Sequence, residues 1–116
     1  MKIIVGIDFG KYIGVSKTDT ELKIPMVYGV FLFKTLVEEL NKIKPDIIVA
    51  GLPLSLNGKE GEQCIKVRSQ CETLLKQINC KPEVYFQDER FSSKFTKNHA
   101  ESASWILETF FKKNII

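Results

Sequence analysis

The sequence has few of the residues that mark disulfide-rich or zinc-binding small proteins. Its 116 residues include three cysteines and one histidine. Cys64, Cys71 and Cys80 are odd in number and form no CxxC pair, which argues against a disulfide framework and against a zinc site. Cys64 and Cys71 are seven residues apart in a helical pattern. We therefore expect reduced cysteines that pack as small hydrophobic side chains.

Long apolar segments and a strong excess of one charge are also missing. No apolar run approaches the roughly 20 residues of a membrane-spanning helix, and Asp8 interrupts the first apolar run too early for a signal peptide. We therefore expect a cytosolic protein with no membrane partner. The net charge is +3, and two of the 17 basic residues are arginines. Such a charge permits diffuse attraction of lysines to phosphates without by itself indicating a nucleic-acid partner.

The length fits one domain covering residues 1–116. The apolar periodicity predicts strands at 2–9, 13–19, 23–30, 46–54 and 83–87, and helices at 31–43, 60–78 and 100–111. Three strands in an antiparallel meander are thus followed by helix-linked parallel strands. This order predicts an α/β fold with a five-stranded mixed sheet of strand order 3-2-1-4-5, helices on both faces and the first strand at the centre.

Carboxylates at the ends of strands are the first candidate catalytic groups. Asp8 ends the first strand between two glycines, where an aspartate is costly to bury unless it binds a cation or hydrogen-bond donors. Its alternative role is to cap the following turn. Asp88 and Glu89 end the last strand in the same way. Their alternative is a solvated loop with a local ion pair to Arg90.

A third carboxylate, Glu101, opens the last helix, where acidic residues often only complement the helix dipole. Carboxylates brought together from two strand ends and a helix start would repel one another unless Mg²⁺ or Mn²⁺ neutralised them. That arrangement suits metal-assisted hydrolysis of phosphodiesters. The predicted metal ligands are Asp8, Glu89 and Glu101, with Asp88 as the alternative to Glu89. We expect the carboxylates of Asp8 and Glu101 to lie within roughly 10 Å, a span that one or two ions can bridge.

Two further features have weaker support. Backbone amides of the segment 51–61, together with Lys59, could hold a phosphate before the helix that follows, although a plain strand–helix connection is equally compatible. His99 is a lone histidine in a polar segment, where such residues are more often solvated than catalytic.

Four segments, in order along the chain, resemble the motifs of the YqgF family of Holliday-junction resolvases and pre-16S rRNA nucleases. They are GIDFGKYIGVS, GLPLSLNGKEGEQ, YFQDERFSS and ESASWILETFF. The resemblance implies a ribonuclease-H-like fold and an acidic Mg²⁺ or Mn²⁺ site built from Asp8, Glu101 and the Asp88/Glu89 pair. It also implies a nuclease that acts on structured nucleic acid, with trimming of the 5′ end of pre-16S rRNA as the favoured role. Within these motifs, the predicted nucleic-acid-binding residues are Lys11, Lys59 and Arg90.

Alternatives stay open. The loop at Lys11 and Tyr12 is one residue shorter than the family pattern, and Glu101 stands where the family has aspartate; these departures favour a weak or inactive homologue that binds RNA without cleaving it. The GIDFG segment also resembles actin- and Hsp70-like ATPases, but those need two lobes and the chain has length for one. The residues do not choose between RNA and DNA, or between a monomer and a homodimer.

Overall fold

The computed structural model describes residues 2–52, 61–88 and 99–113, with the backbone alone at 88, 99–102 and 112–113. Five strands and three helices follow one another within this part of the chain in the predicted order. They are β1 (Ile3–Asp8), β2 (Ile13–Asp19), β3 (Met26–Phe31), α1 (Phe33–Ile43), β4 (Ile47–Leu52), α2 (Glu62–Gln77), β5 (Glu83–Asp88) and α3 (His99–Lys113).

The strands form one sheet of order β3-β2-β1-β4-β5, which confirms the predicted topology. β1 is antiparallel to β2 and parallel to β4, and β4 is parallel to β5. Ile4, Val5 and Ile7 of the central strand are completely buried, whereas Ile3 at its start is half-buried. The carboxyl ends of β1, β4 and β5 therefore meet at one edge of the sheet.

The third strand begins later than its predicted start at residue 23. Lys23 has a left-handed backbone conformation, with φ of 54°, which is incompatible with a continuous strand. β3 then runs as the sheet edge and carries exposed apolar side chains. Tyr28 on this strand donates a hydrogen bond to Glu39 of α1 over 2.7 Å, which attaches the edge strand to the helix that follows it.

Helices α1 and α2 cover one face of the sheet. One stripe of residues at helical spacing on α2 and its C-cap is buried, and it comprises Cys64, Val67, Cys71, Leu74 and Ile78. Burial raises the pKa of the Cys71 thiol to about 11. The thiol stays protonated at neutral pH, so it packs as a hydrophobic side chain and is a poor nucleophile, as the sequence predicts.

Helix α3 covers the opposite face. Ile106, Leu107 and Phe110 form a second buried cluster with apolar side chains of β1 and β4. The ring of Phe110 lies 5.3 Å from that of Tyr85 on β5. Helices on both faces are thus confirmed. Within the described ranges, no helix combines the length and the apolar character needed to cross a membrane.

Candidate active site at the carboxyl edge of the sheet

Asp8 is the last residue of the central strand and lies at the edge where the parallel strands end. Side chains alternate between the two faces of a strand, and Ile4 packs on the α3 side, so Asp8 lies on that side as well. Its neighbour on β2 is Gly14. Asp8 is half-buried, so the residue is neither fully solvated nor fully enclosed. This combination suits a carboxylate that binds a ligand.

The first turn of α3 is directed to the same end of β1. A Cβ atom placed on Gly6 would lie 2.7 Å from the carbonyl oxygen of Ala103 and 2.7 Å from Cγ of Leu107, so the helix backbone touches the strand at this point. From there α3 runs away from Asp8, because Phe110 packs in one cluster with Ile4 and Ile47. Its first turn therefore extends beyond Gly6 in the direction of Asp8.

Glu101 belongs to that first turn, two residues before Ala103. Two helical residues span about 3 Å along the axis. The backbone of Glu101 is thus close to the point where helix and strand touch. Its side chain lies outside the described atoms, so the predicted separation between the carboxylates of Asp8 and Glu101 stays a prediction.

The remaining predicted site residues are described only in part. Asp88 ends β5 beside Leu52 of β4, which places its backbone at the same edge of the sheet. Glu89, Arg90 and Lys59 lie outside the described residues, as does most of the segment 51–61 predicted to hold a phosphate. The side chain of His99 also lies outside them.

The metal-binding set therefore remains a prediction. No group of three or more histidine, cysteine, aspartate or glutamate side chains capable of holding a metal ion occurs among the described residues. Asp8 is the one member of the predicted set whose side chain lies within the described part of the chain.

A second aspartate shows what a purely structural carboxylate looks like in this fold. Asp46 lies at the opposite edge of the sheet, just before β4, and its Oδ2 accepts a hydrogen bond of 2.8 Å from the backbone N–H of Ile3. Its own backbone N–H donates to the carbonyl of Ile3, and its carbonyl accepts from Glu83. Asp46 therefore joins the beginnings of three strands, a role that local backbone contacts explain completely.

Lys11 lies in the loop after β1 and is exposed, beside a cleft of about 500 Å³ between this loop and α2. Lys66, Ser69 and Gln70 of α2 line the other side of the cleft. Gln70 donates a hydrogen bond of 3.4 Å to the carbonyl of Gly10, which holds the loop against the helix. The described lining contains two lysines and no carboxylate, so the cleft favours an anionic ligand.

Sequence reasoning missed Lys66 and one buried residue of β5, Gln87. Lys66 is one of many exposed lysines, and only the packing of α2 against the loop at Lys11 distinguishes it. Gln87 is 5% exposed, and its side-chain amide nitrogen has no hydrogen-bond partner in the described structure. Gln87 ends the predicted strand 83–87, and the sequence carries no signal that its side chain is buried, because Glu83, Tyr85 and Phe86 of the same strand are exposed.

The mixed sheet of order 3-2-1-4-5, with helices on both faces and a carboxylate ending its central strand, defines a ribonuclease-H-like protein. The structure of Thermus thermophilus RuvC has this fold, with a TM-score of 0.65 and 11% sequence identity over 96% of this chain and 95% of RuvC. RuvC from the same organism in complex with a Holliday junction substrate gives a TM-score of 0.65 and 12% identity, over 97% and 96% of the two chains. At such identities the likeness shows the fold alone.

The sequence model of the RuvX family, described as "Holliday junction resolvase", matches residues 2–113, and the chain belongs to this family of nucleases. The resemblance to the YqgF family is thereby confirmed. Three relatives share the description "putative pre-16S rRNA nuclease". The protein of Anaplasma marginale is 35% identical over 85% of this chain and 67% of its own length. The protein of Thermotoga maritima is 32% identical over 99% of this chain and 52% of its own length. The protein of Sulfurihydrogenibium is 34% identical over 95% of this chain and 90% of its own length. The chain thus spans about half of the Thermotoga protein and two thirds of the Anaplasma protein.

Proposed function

We propose that the chain is a divalent-metal-dependent endonuclease that acts on structured nucleic acid in the cytoplasm, with the 5′ end of pre-16S rRNA as its substrate. The observation that carries this proposal is the position of Asp8. Asp8 is a half-buried residue at the end of the central strand. It lies on the face of the sheet that α3 covers, near the first turn of that helix. The description shared by the relatives supports the choice of pre-16S rRNA over a DNA junction.

The donor chemistry at this edge fits Mg²⁺ or Mn²⁺, because both ions prefer carboxylate oxygens. Asp8 supplies such oxygens from the end of a strand that is paired on both sides. The residues that would hold the ion are Asp8, Glu89 and Glu101, with Asp88 as the alternative to Glu89. When bound, the ion would polarise the scissile phosphate and lower the pKa of the attacking water.

The other residues of the site position the substrate. The ammonium groups of Lys11 and Lys66 would hold the sugar–phosphate backbone in the cleft between the loop after β1 and α2. The cleft lies on the α2 side of the sheet, whereas Asp8 lies on the α3 side. Phe9 and Gly10, the two residues after Asp8, line the cleft, so a strand bound there would cross the carboxyl edge of the sheet to reach Asp8. Phosphates bound there would lead a neighbouring phosphodiester to the carboxyl edge of the sheet. Lysine contacts of this kind carry no sequence information, so a particular RNA would be selected by its shape.

A two-substrate assay tests the function. The purified chain is incubated with a labelled RNA that contains the 5′ precursor segment, and separately with a four-way DNA junction, each with Mg²⁺, Mn²⁺ or EDTA. We expect cleavage of the RNA with either ion and none with EDTA. Paired symmetric cuts in the junction by a homodimer would favour a resolvase instead. Binding without cleavage of either substrate would favour the inactive, RNA-binding homologue.

Replacing Lys66 tests the cleft independently of cleavage. We expect Lys66→Ala to weaken RNA binding about threefold to tenfold at 0.1 M salt and to reduce the slope of log K against log salt by about one, because one phosphate contact is lost. The measurement is fluorescence anisotropy in EDTA over a series of salt concentrations.

The matched control is Lys76→Ala, which removes a lysine from the end of α2. The Nζ atom of Lys76 lies 3.9 Å from Oε1 of Glu72. Affinity and salt slope should stay at wild-type values in this variant. Equal slopes for the Lys66 and Lys76 variants would show that the cleft does not contact the backbone of the RNA.

A further inference from the structure

We propose that the side-chain amide of Gln87 donates a hydrogen bond to a phosphate oxygen of the nucleic acid bound beside Asp8; this inference rests on the proposed function and adds a substrate-positioning residue to the same site. Gln87 lies on β5, two strands away from Asp8. It is 5% exposed, and its Nε2 atom has no hydrogen-bond partner in the part of the chain that the structure describes.

The face on which Gln87 lies follows from its neighbours on β5. The ring of Tyr85 contacts the ring of Phe110 on α3, with 5.3 Å between ring centres and 52° between the ring planes. Phe86 instead lies under the guanidinium of Arg68 on α2, at 4.7 Å from its ring centre. Because side chains alternate along a strand, Gln87 shares the face of Tyr85, which is also the face of Asp8.

Strand register then aligns Gln87 with Asp8. Ile7 of β1 pairs with Ala50 of β4, so one residue further along these parallel strands Asp8 lies beside Gly51. Gly51 in turn pairs with Gln87. With adjacent strands about 4.8 Å apart, the backbones of Asp8 and Gln87 are separated by about 10 Å. The residue between them has no side chain, so a ligand over Gly51 would have the carboxylate on one side and the amide on the other. Gly51 and the amide nitrogen are both buried, so a phosphate would reach the amide only when this edge of the sheet opens locally.

An unpaired buried amide destabilises the free protein, because the N–H groups have lost water without gaining an acceptor. Such a group is accounted for when a ligand provides the acceptor. Three hydroxyls are also unpaired and buried on this side of the molecule, those of Ser16, Thr18 and Ser104. Ser16 pairs with Gly6 and Thr18 with Ile4, further from the carboxyl edge than Asp8. Of the three strand residues among these groups, only Gln87 lies in the row of Asp8.

The chemistry of the ligand follows from that of the donor. An amide N–H₂ donates to an acceptor and adds no charge, so it binds an anion without competing with a cation at the adjacent carboxylate. A non-bridging phosphate oxygen is the acceptor that a nucleic-acid substrate brings to this edge. Because hydrogen bonds to charged acceptors are the stronger class, the contact would contribute to both affinity and orientation.

The test replaces Gln87 by methionine, which has similar length but no donor. RNA binding is measured in Ca²⁺, and cleavage under single-turnover conditions in Mn²⁺. We expect Gln87→Met to lower RNA affinity about tenfold, equivalent to about 1.4 kcal/mol, while the melting temperature of the free protein stays equal or rises. If Gln87 were needed only for the fold, the variant would have a lower melting temperature, and its folded fraction would bind RNA with wild-type affinity. Gln77→Met, which makes the same change at the exposed end of α2, is the control and should bind RNA as wild type does.

Each outcome separates this inference from the proposed function. A wild type that binds RNA without cutting it, combined with weakened binding in Gln87→Met, would overturn the nuclease and retain the phosphate contact. Wild-type affinity and cleavage in Gln87→Met would overturn the contact and leave the nuclease intact. A clear fall in the melting temperature would show that the amide is paired within the protein and would also overturn the contact, as would a wild type that binds neither RNA nor DNA.

Discussion

Asp8→Asn is expected to lower divalent-dependent RNA cleavage by at least ~10²-fold, the scale on which removal of one strong electrostatic contributor acts. Asparagine keeps the size and shape of the side chain but removes the anionic ligand. Asp8 is expected to be the central ligand because it comes from the strand that lies mid-sheet, between β2 and β4. RNA binding should persist, because Lys11 and Lys66 are unchanged. The melting temperature of the metal-free protein should be equal or higher, since repulsion among carboxylates decreases.

Asp46→Asn is the matched control, because it makes the same chemical change at the opposite edge of the sheet. Its carboxylate accepts the hydrogen bond from the backbone of Ile3. We therefore expect a lower melting temperature and normal cleavage by the folded fraction, the reverse of the Asp8 variant. Cleavage that survives in Asp8→Asn, or that needs no divalent ion, would rule out the proposed mechanism. If the wild type itself is inactive, Glu101→Asp is the first change to test, because it restores the shorter acid of the family pattern.

The fold was predictable because its apolar residues follow two clear periods. The period of β1 marks a strand buried on both faces, and the stripe on α2 from Cys64 to Ile78 marks a helix packed on one side. The start of β3 was not predictable in this way. The segment from 23 onwards is rich in strand-forming residues, but Lys23 adopts a left-handed conformation before Pro25, and such a turn leaves no periodic signal.

The candidate site was predictable where it depends on the ends of strands. Asp8 could be placed from the sequence, because a polar residue after a buried strand marks the edge of the sheet. Lys66 could not be placed in this way, since its position relative to Asp8 depends on how α2 packs. Gln87 could not be placed either, since its alignment with Asp8 depends on the register of β1, β4 and β5. Register is set by pairing between distant segments, which a single sequence does not encode in a local pattern.

Gly6→Ala is expected to have the largest effect on stability, a loss of about 2–3 kcal/mol, which is typical of overpacking in a close-packed interior. The added methyl would lie 2.7 Å from three atoms on two elements: the carbonyl oxygen of Ala103 and Cγ of Leu107 on α3, and Oγ of Ser16 on β2. The serine hydroxyl can rotate away, but the carbonyl belongs to the backbone of α3. The helix must therefore move away from the sheet, and its contacts with β1 and β4 weaken.

Two other glycines make a graded control series. An alanine at Gly29 would meet the ring of Phe31, whose outer end can shift, so we expect a smaller loss. An alanine at Gly61 would have no described atom within 4 Å, and its backbone is extended, with φ of −108°. We expect a cost of about 1 kcal/mol or less there, as for other unfavourable residues at a helix N-cap. Urea unfolding of the three variants should rank them Gly6, Gly29 and Gly61 from most to least destabilised.

The Gly6 variant also links the fold to the candidate site. Glu101 is two residues from Ala103, so a displacement of α3 at Gly6 would move Glu101 relative to Asp8. A misplacement of about 1 Å at a catalytic group can cost about 10²-fold in rate. The fraction of the Gly6→Ala protein that remains folded at low temperature should therefore cleave RNA poorly. The Gly29→Ala protein, compared at the same folded fraction, should cleave at the wild-type rate. Normal cleavage by folded Gly6→Ala would mean that the contact between α3 and β1 does not position the acidic groups, and that the site is assembled without the first turn of α3.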